Sequence, residues 1–326
     1  MLTIQELTSP ESIAALAPQW AELWAQTDAT PFQHPAWLIP WTTNLWRGGK
    51  LFVLRVSDDN HLVAVAPLFQ WGYPGTVQLS WLGAGITDYT DLLTSRGAEA
   101  AEAILDYLQK HGDWNIANLE EIRAGSPLLK LGLPAEPCSV CPVAALAAGI
   151  EDHLSTLDNK FRTDLRRAEN RLRRSGELRI ETNEPCLLDH LFRLHANRWH
   201  ERGQDGVLGS ARLQKFHRET AEAMQKAGLL RLYGLFLNDE CIAVQYNLVA
   251  KGTAYAYLAG FDPAWGKSSP GAVLLKHSIS AAIEEGVREF DFLRQPETFK
   301  YQWGAKDRPN YRLTLRRARV PKTEAA

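Results

Sequence analysis

The sequence predicts an α/β protein built from two related units in tandem. At 326 residues the chain is longer than most single domains, and 45% of its residues are apolar, which is enough for two cores. Residues 51–70 and 229–249 resemble each other, and each reads as two apolar strands joined by a short Asp/Asn turn. Because this hairpin pattern recurs about 180 residues further along, we predict an N-terminal unit at 1–150 and a C-terminal unit at 151–326.

Both units repeat the same order of elements. Helical segments come first, followed by the hairpin and by a third strand that ends in a small-residue turn at Leu82–Gly83 or Ala259–Gly260. A helix that ends near a glycine and a last strand complete each unit. These helix and strand segments are AAEAILDYLQKHG and NIANLEEI in the first unit, and AVLLKHSISAAIEEG and EFDFLR in the second.

The segment from Gly252 to Trp303 carries most of the functional information. It reads as strand, turn-rich loop, helix and strand, with Ser269 placed to cap the helix and Pro270 at its first position. Gly271 leaves no side chain between the helix N–H groups and a ligand. Those donors and the helix dipole suit a pyrophosphate. The matching stretch of the first unit, GITDYTDLLTSRGAEA, lacks such a helix start, so we predict a donor site in the second unit alone.

A strongly basic helix opens the second unit. Phe161, Leu165, Ala168 and Leu172 fall at helical spacing and form one apolar stripe, and Gly176 marks the end. Two interpretations stay open: a solvated helix between the units, or a cationic wall for a phosphorylated donor, a tRNA or an anionic sugar acceptor. The basic residues on its other faces are Lys160, Arg162, Arg166, Arg167, Arg171, Arg173 and Arg174.

Composition argues against several other classes of protein. The net charge of −2 gives no general nucleic-acid signal. The N-terminal MLTIQELTSPES lacks the features of a secretory signal, and no apolar run is long enough to span a membrane, so we expect a cytoplasmic protein. Cys138 and Cys141 form a lone CxxC without a second pair, and no HExxH or Ser-His-Asp pattern stands out, so we expect no metal.

Seven segments, in this order, carry a family resemblance: KFRTDLRRAENRL, LHANRW, LRLYGLFLNDECIAVQYNLV, AGFDPAW, SSPG, FDFLR and ETFKYQW. They resemble the Gcn5-related N-acetyltransferase (GNAT) superfamily, and most closely its bacterial CelD-like and FemAB-like branch. The resemblance covers about residues 155–317 and, more faintly, the N-terminal half. It implies two tandem GNAT-like units, each with a mixed, mostly antiparallel sheet flanked by helices.

The same resemblance implies an acyl-CoA-dependent N-acyltransferase. Its co-substrate would be acetyl-CoA or another acyl-CoA, and its acceptor a small amine such as an amino sugar or amino-acid derivative, in polysaccharide or cell-envelope metabolism. In the superfamily the thioester lies along a splayed strand, where the acceptor amine attacks it directly. The usual pyrophosphate loop reads Gln/Arg-x-x-Gly-x-Gly/Ala. Here the run is Lys267-Ser-Ser-Pro270-Gly-Ala272, in which the proline removes one N–H donor.

The donor loop and two strands supply the predicted reaction residues. Tyr255 and Tyr257 alternate along a strand and so share a face; one of them protonates the leaving thiolate, or both pack as aromatic residues. Asp291 lies in a buried-looking strand, where a carboxylate needs a partner. It is either the general base or an anchor for Arg294 or Lys300. The residues predicted to contact the donor phosphates are Gly266, Lys267, Ser268, Ser269, Gly271 and Ala272.

Acceptor binding is predicted just past the end of the last strand, where α/β folds place ligands. Arg294, Glu297, Lys300 and Trp303 follow that strand. Arg294 and Lys300 would hold an anionic acceptor, and packing is the competing explanation for Trp303. His195, on a predicted helix, either borders the acceptor pocket or is an ordinary residue of the polar face.

Two other classes of function stay open. Fem-like peptidyltransferases share the duplicated fold and basic helices, but they use aminoacyl-tRNA to build cell-envelope peptides. The best known of them carry a long helical arm that this sequence lacks. The third class is a non-catalytic accessory protein of polysaccharide biosynthesis that keeps the fold without the activity.

Overall fold

The computed structural model describes residues 1–73, 75–200 and 207–317. The elements up to residue 145 are β1 (Leu2–Leu7), α1 (Pro10–Ala15), α2 (Ala17–Ala25), α3 (Pro35–Asn44), β2 (Lys50–Asp58), β3 (His61–Tyr73), β4 (Thr76–Trp81), β5 (Leu93–Thr94), α4 (Ala98–Lys110), β6 (Ile116–Arg123) and β7 (Ala135–Ala145). They are followed by α5 (Ile150–Ser155), α6 (Asn159–Ser175), β8 (Leu178–Thr182), α7 (Leu187–His200), α8 (Ala211–Lys226), β9 (Leu230–Leu237), β10 (Glu240–Ala250), β11 (Thr253–Phe261), α9 (Pro270–Glu284), β12 (Glu289–Asp291), α10 (Thr298–Gln302) and β13 (Lys306–Arg316). Within these residues, no helix is both long and apolar enough to cross a bilayer.

The first compact unit comprises residues 1–139 and the C-terminal segment from Pro309. Its strands lie in the order β1-β2-β3-β4-β6-β13, and β5 pairs with β3. Neighbouring strands are antiparallel except β4 and β6, which are parallel and are connected through α4. Apolar side chains of the sheet and α4 share one core, among them Phe52, Leu79, Ile104 and Leu313.

The second unit comprises residues 140–308. Its strands lie in the order β7-β12-β11-β10-β9-β8, with one parallel pair, β11 and β12, connected through α9. Gln245 of β10 bonds to Ser278 of α9, whereas the next residue, Tyr246, contacts His217 of α8. Because neighbouring residues of a strand point to opposite faces, α8 and α9 cover opposite faces of this sheet.

The predicted fold class is confirmed. Residues 51–70 form β2 and β3, and residues 229–249 form β9 and β10. Both units have a mixed, mostly antiparallel sheet with one parallel pair around a crossover helix. The predicted strand, loop, helix and strand of the donor segment are present as β11, a 3-10 helix at Pro263–Ser268, α9 and β12.

The boundary between the units differs from the predicted 150/151 and lies between Ser139 and Val140. The larger difference is at the C-terminus, because residues 310–316 of β13 pair with β6 of the first unit. Apolar alternation within a strand does not show which strand it pairs with. Residues 318–326 lie outside the described residues.

Candidate active site

The predicted donor loop is a short 3-10 helix followed by a sharp turn at Ser269. Asp262 caps the 3-10 helix by accepting the Ala264 N–H at 2.9 Å. Ser269 has φ 47 and ψ 53, a left-handed conformation, and its carbonyl accepts the N–H groups of Ala272 and Val273. The prediction that its hydroxyl caps α9 is wrong. A side-chain cap needs an extended backbone, which brings the hydroxyl to the N–H groups of the first turn. Here the backbone carbonyl of Ser269 accepts those N–H groups instead.

The loop is open to solvent. Gly266, Lys267 and Ser269 are exposed. A Cβ at Gly271 would meet only Phe261 Cδ1, at an ordinary 3.6 Å, so packing within the chain does not require a glycine there. The Gly271 N–H belongs to the first turn, where helix geometry provides no acceptor inside the helix. This end of α9 therefore has both space and a donor for an anionic ligand.

The basic helix α6 packs beside this loop. Of its predicted stripe, Leu165, Ala168 and Leu172 are buried and Phe161 is partly buried, and Asp158 caps the start of the helix through the Phe161 N–H. The helix contacts both the 3-10 helix and α9. The apolar stripe thus turns the basic faces of α6 to solvent next to the predicted donor site.

Acidic neighbours neutralise only part of that charge. Arg173 pairs with Glu169 at 2.8 Å, and Arg167 pairs with Asp164 at 3.5 Å. Three further exposed arginines of α6 have no ion pair with any residue that the structure describes: Arg166, Arg171 and Arg174. We call these three the free arginines of α6.

Strand β11 is irregular where the predicted catalytic tyrosine lies. Opposite β10, Leu258 pairs with Tyr246 and Ala256 pairs with Asn247, so Tyr257 is the extra residue of a β-bulge. Its half-buried ring lies 5.5 Å from the ring of Tyr246. On the other side, β11 pairs with β12 only over residues 253–255. Beyond Tyr255, in the described sheet, β11 therefore has no strand partner on the β12 side.

Tyr255 and Asp291 are the last pair of that short parallel ladder. Both are buried, at 5% and 1% exposure. Paired residues of neighbouring strands point to the same face, so the phenol and the carboxylate lie on one side of the sheet. Phe290 and Phe292 point to the other side and join the core beneath α9. Asp291 Oδ1 accepts the Leu293 N–H at 2.8 Å, which fixes the carboxylate at the end of the strand.

Lys300 lies underneath the loop that follows β12. It is 4% exposed, and its ammonium donates to the carbonyls of Leu293, Arg294 and Gln295 at 3.2, 2.6 and 3.0 Å. Leu293 and Gln295 have φ values of 57 and 82, which are uncommon for residues other than glycine. Lys300, also paired with Glu297 at 3.3 Å, therefore stabilises a strained turn. The arrangement leaves it poorly placed to hold an acceptor.

The remaining predicted acceptor residues divide between core and surface. Trp303 is 1% exposed and packs edge-to-face on Phe161 at 5.0 Å, so the packing explanation fits this residue. Arg294 is partly exposed and Glu297 is exposed at the start of α10. These two alone of the four reach solvent at the end of β12.

His195 lies on the inner face of α7, close to β11. A Cβ at Gly260 would approach Leu194 Cβ to 3.2 Å and the backbone nitrogen of His195 to 3.4 Å. The sequence predicted Gly260 in a turn. It is instead a residue of β11, where the absence of a side chain lets α7 pack closely. His195 is 9% exposed and lies near enough to His217 to influence its protonation.

Sequence reasoning missed a group of buried polar residues next to His195. His217 and Thr220 of α8 and Tyr246 of β10 are each less than 3% exposed. Burial, with a smaller effect of His195, lowers the pKa of His217 to about 3, and burial alone raises the pKa of Tyr246. A possible signal was the polar Thr220 at helical spacing between two apolar residues, Phe216 and Met224, all three of which are buried.

No group of three or more His, Cys, Asp or Glu side chains suited to a metal ion occurs among the described residues. The family model described as "Acetyltransferase (GNAT) domain" matches residues 159–301. This range contains the donor loop, the bulge and Asp291. No curated protein sequence matches the chain significantly.

Several solved structures share the fold over nearly the whole chain. FemX is 12% identical with a TM-score of 0.67, and the alignment covers 96% of this chain and 97% of that one. L-PGS from Bacillus licheniformis is 14% identical with a TM-score of 0.59 and coverages of 96% and 93%. The C-terminal domain of a putative lysylphosphatidylglycerol synthetase from Agrobacterium fabrum is 13% identical, with a TM-score of 0.59 and coverages of 93% and 92%.

Proposed function

We propose that this chain, whose residues 159–301 match the GNAT domain model, is an acyl-CoA-dependent N-acyltransferase that acts on a small amine. The GNAT match supports an acyltransferase. The acyl-CoA donor and the amine acceptor are the proposal.

One observation carries this proposal. Among the described residues, the ladder between β11 and β12 ends at Tyr255 and Asp291, and β11 continues to Phe261 without a strand beside it on that side. An extended acyl chain and pantetheine arm can bind along such an edge through backbone hydrogen bonds. The edge leads directly into the loop at Gly266–Ala272, where the start of α9 suits the donor pyrophosphate. Lys267 and the free arginines of α6 supply positive charge beside it.

The residues around the end of this ladder fit the transfer step. The acceptor nitrogen attacks the thioester carbonyl, the C–N bond forms and the C–S bond breaks. We assign Asp291 to take the proton from the amine, and Tyr257 to give a proton to the leaving thiolate. Tyr257 suits this role better than Tyr255 because it lies at the bulge and is only half-buried, whereas Tyr255 is 5% exposed. Positioned acid–base groups typically contribute about 10²–10⁴-fold in rate.

Calorimetric titration with acetyl-CoA and longer acyl-CoAs tests the donor site. We expect one acyl-CoA bound per chain. Gly271→Glu should abolish binding because its carboxylate meets the donor phosphates, while a negative charge at a helix start does not destabilise α9. The matched control is Gly125→Glu, at an exposed glycine of the first unit with open space around it. Absence of binding to folded wild-type protein at millimolar acyl-CoA would reject the proposal.

The free arginines of α6 favour a second candidate, an aminoacyl-tRNA-dependent transferase. They are exposed, have no ion pair in the described structure and lie beside the donor loop. On this hypothesis tRNA binds in a salt-dependent manner, and neutralising all three with glutamine lowers the slope of log K against log salt by about two. The control neutralises three exposed basic residues of the first unit, Lys110, Lys130 and Arg316. Equal effects of the two triple variants would reject a tRNA-binding role for α6.

A further inference from the structure

A cluster of uncharged polar side chains lies buried between α8 and the sheet of the second unit. His217 and Thr220 of α8 are 2% and 0% exposed, and Tyr246 of β10 is 0% exposed. Within the described part of the chain, His217 Nδ1, Thr220 Oγ1 and Tyr246 Oη have no hydrogen-bond partner. Buried polar atoms of folded proteins are nearly always bonded. Three such atoms without a partner among the described residues therefore point to a further hydrogen-bonding partner, such as a ligand. We call these residues the α8 polar cluster.

The members of the cluster lie close together. The rings of His217 and Tyr246 lie 6.3 Å apart at 76°. Thr220 follows His217 by three residues, so both side chains lie on the same face of α8. Tyr257, at the bulge of β11, contacts both rings, at 5.7 Å from His217 and 5.5 Å from Tyr246. The cluster thus adjoins the residue that we assign to protonate the leaving group.

The chemistry of the cluster selects a neutral partner. Burial holds the pKa of His217 at about 3, so its imidazole is uncharged near neutral pH, and burial keeps the Tyr246 phenol protonated. A carboxylate or phosphate would lose its hydration here without meeting a counter-charge in the cluster, which is unfavourable. Two hydroxyls and an imidazole can instead donate to and accept from the hydroxyl groups of a ligand.

We propose that the α8 polar cluster binds the uncharged, hydroxyl-bearing part of the acyl acceptor, which makes that acceptor an amino sugar or a similar polyhydroxylated amine. This inference rests on the proposed N-acyltransferase function and adds the chemical class of its acceptor. None of the three polar atoms has accessible surface in this structure, so α8 must shift away from the sheet to admit the hydroxyl-bearing ring, whose amine then lies towards Tyr257. This arrangement gives hydrogen-bond partners to three buried polar atoms that have none among the described residues.

Saturation-transfer NMR with glucosamine, without any donor, tests the cluster directly. Tyr246→Phe and Thr220→Val each remove one hydroxyl with little change of shape. We expect glucosamine to bind the wild type and to lose about tenfold in affinity in each variant, the effect of one lost hydrogen bond. Cyclohexylamine, which has no hydroxyls, and glutamate, which adds carboxylates, should not bind. Melting temperatures should not fall, because each variant removes a hydroxyl that has no hydrogen-bond partner in the described structure.

The matched control is Ser278→Ala on the opposite face of the sheet. Ser278 donates to Gln245 at 2.9 Å, so this change should lower the melting temperature and leave glucosamine affinity unchanged. A fall in melting temperature in both cluster variants with glucosamine affinity unchanged would assign the hydroxyls to buried water and overturn the inference. If the wild-type protein bound acyl-CoA but not glucosamine, the proposed acceptor class would be overturned and the donor site would stand. Glucosamine binding without any acyl-CoA binding would reject the proposed donor and leave the subsite standing.

Discussion

Glu169 of α6 and Lys276 of α9 form an ion pair 3.0 Å long, and Arg173 binds the other oxygen of the same carboxylate at 2.8 Å. One carboxylate thus connects the basic helix to the helix that begins at the donor loop. This ion pair orients α6 against α9, and the Glu169 side chain that forms it is only 22% exposed.

Glu169→Gln tests this connection through its dependence on pH. Burial alone would raise the pKa of Glu169, but hydrogen bonds from Arg173 and Lys276 outweigh it and lower the pKa below the ordinary 4.5. The stabilisation is therefore complete above that ordinary value and is lost as pH falls through the lowered one. We expect urea unfolding to show a loss of about 1 kcal/mol at pH 7 that vanishes in acid. Exposed Glu240→Gln is the control, and a pH-independent difference would contradict the assignment.

Lys300→Met tests the structural role of the buried ammonium. The change leaves the carbonyls of Leu293, Arg294 and Gln295 without their donor while keeping most of the side-chain volume. We expect a loss of about 2–3 kcal/mol in the free energy of unfolding, measured by urea titration, with Lys130→Met as an exposed control. If stability were unchanged and only the KM for the acceptor rose, Lys300 would be a binding residue, as the sequence first indicated.

Tyr257→Phe tests the proposed proton donor. With acetyl-CoA we expect kcat to fall by about a hundredfold, whereas Tyr255→Phe should have a much smaller effect. A thioester whose leaving thiolate is weakly basic needs no proton, so it should restore the Tyr257→Phe rate to nearly that of the wild type. Such a thioester should not restore the rate of Asp291→Asn, because that change removes the base that takes the proton from the amine. If Tyr257→Phe lowered kcat equally with acetyl-CoA and with this second thioester, Tyr257 would not be the proton donor.

Asp91→Asn tests a buried carboxyl of the first unit. Burial raises the pKa of Asp91 from 3.8 to about 7, although Ser126 and the Leu92 N–H bond to it. Between about pH 4 and pH 7 the folded state therefore binds more protons than the unfolded state, and stability falls as pH rises. The variant should flatten this slope and be more stable above pH 7, by no more than about 4 kcal/mol. Exposed Asp113→Asn should keep the wild-type slope in denaturant titrations across this range.

Local patterns predicted much of the fold because they depend on near neighbours in sequence. The stripe of Leu165, Ala168 and Leu172 identified the buried face of α6, and the two hairpins followed from apolar alternation around short turns. The site was harder to predict. Lys300 and Trp303 follow a strand end as ligand-binding residues do, but the turn after β12 folds both of them inward.

The α8 polar cluster shows why the rest could not be predicted. Nothing in the local sequence around His217, Thr220 and Tyr246 shows that their polar atoms are buried without a partner among the described residues. That property appears only when α8 lies on β10 and the bulge of β11 brings Tyr257 beside them. The side-chain cap expected at Ser269 failed for a related reason, since its left-handed backbone is set by the turn between the 3-10 helix and α9.

The return of β13 to the first unit has a consequence for biosynthesis. Residues 140–308 are an insertion within the first unit, whose sheet lacks its strand beside β6 until Pro309 and the residues after it leave the ribosome. The later-encoded unit can therefore finish folding before the earlier one. Until then, β6 is an exposed strand edge that is prone to pairing with other chains. A chain truncated near residue 305 should accordingly aggregate through its N-terminal half, although every residue of the GNAT match is present.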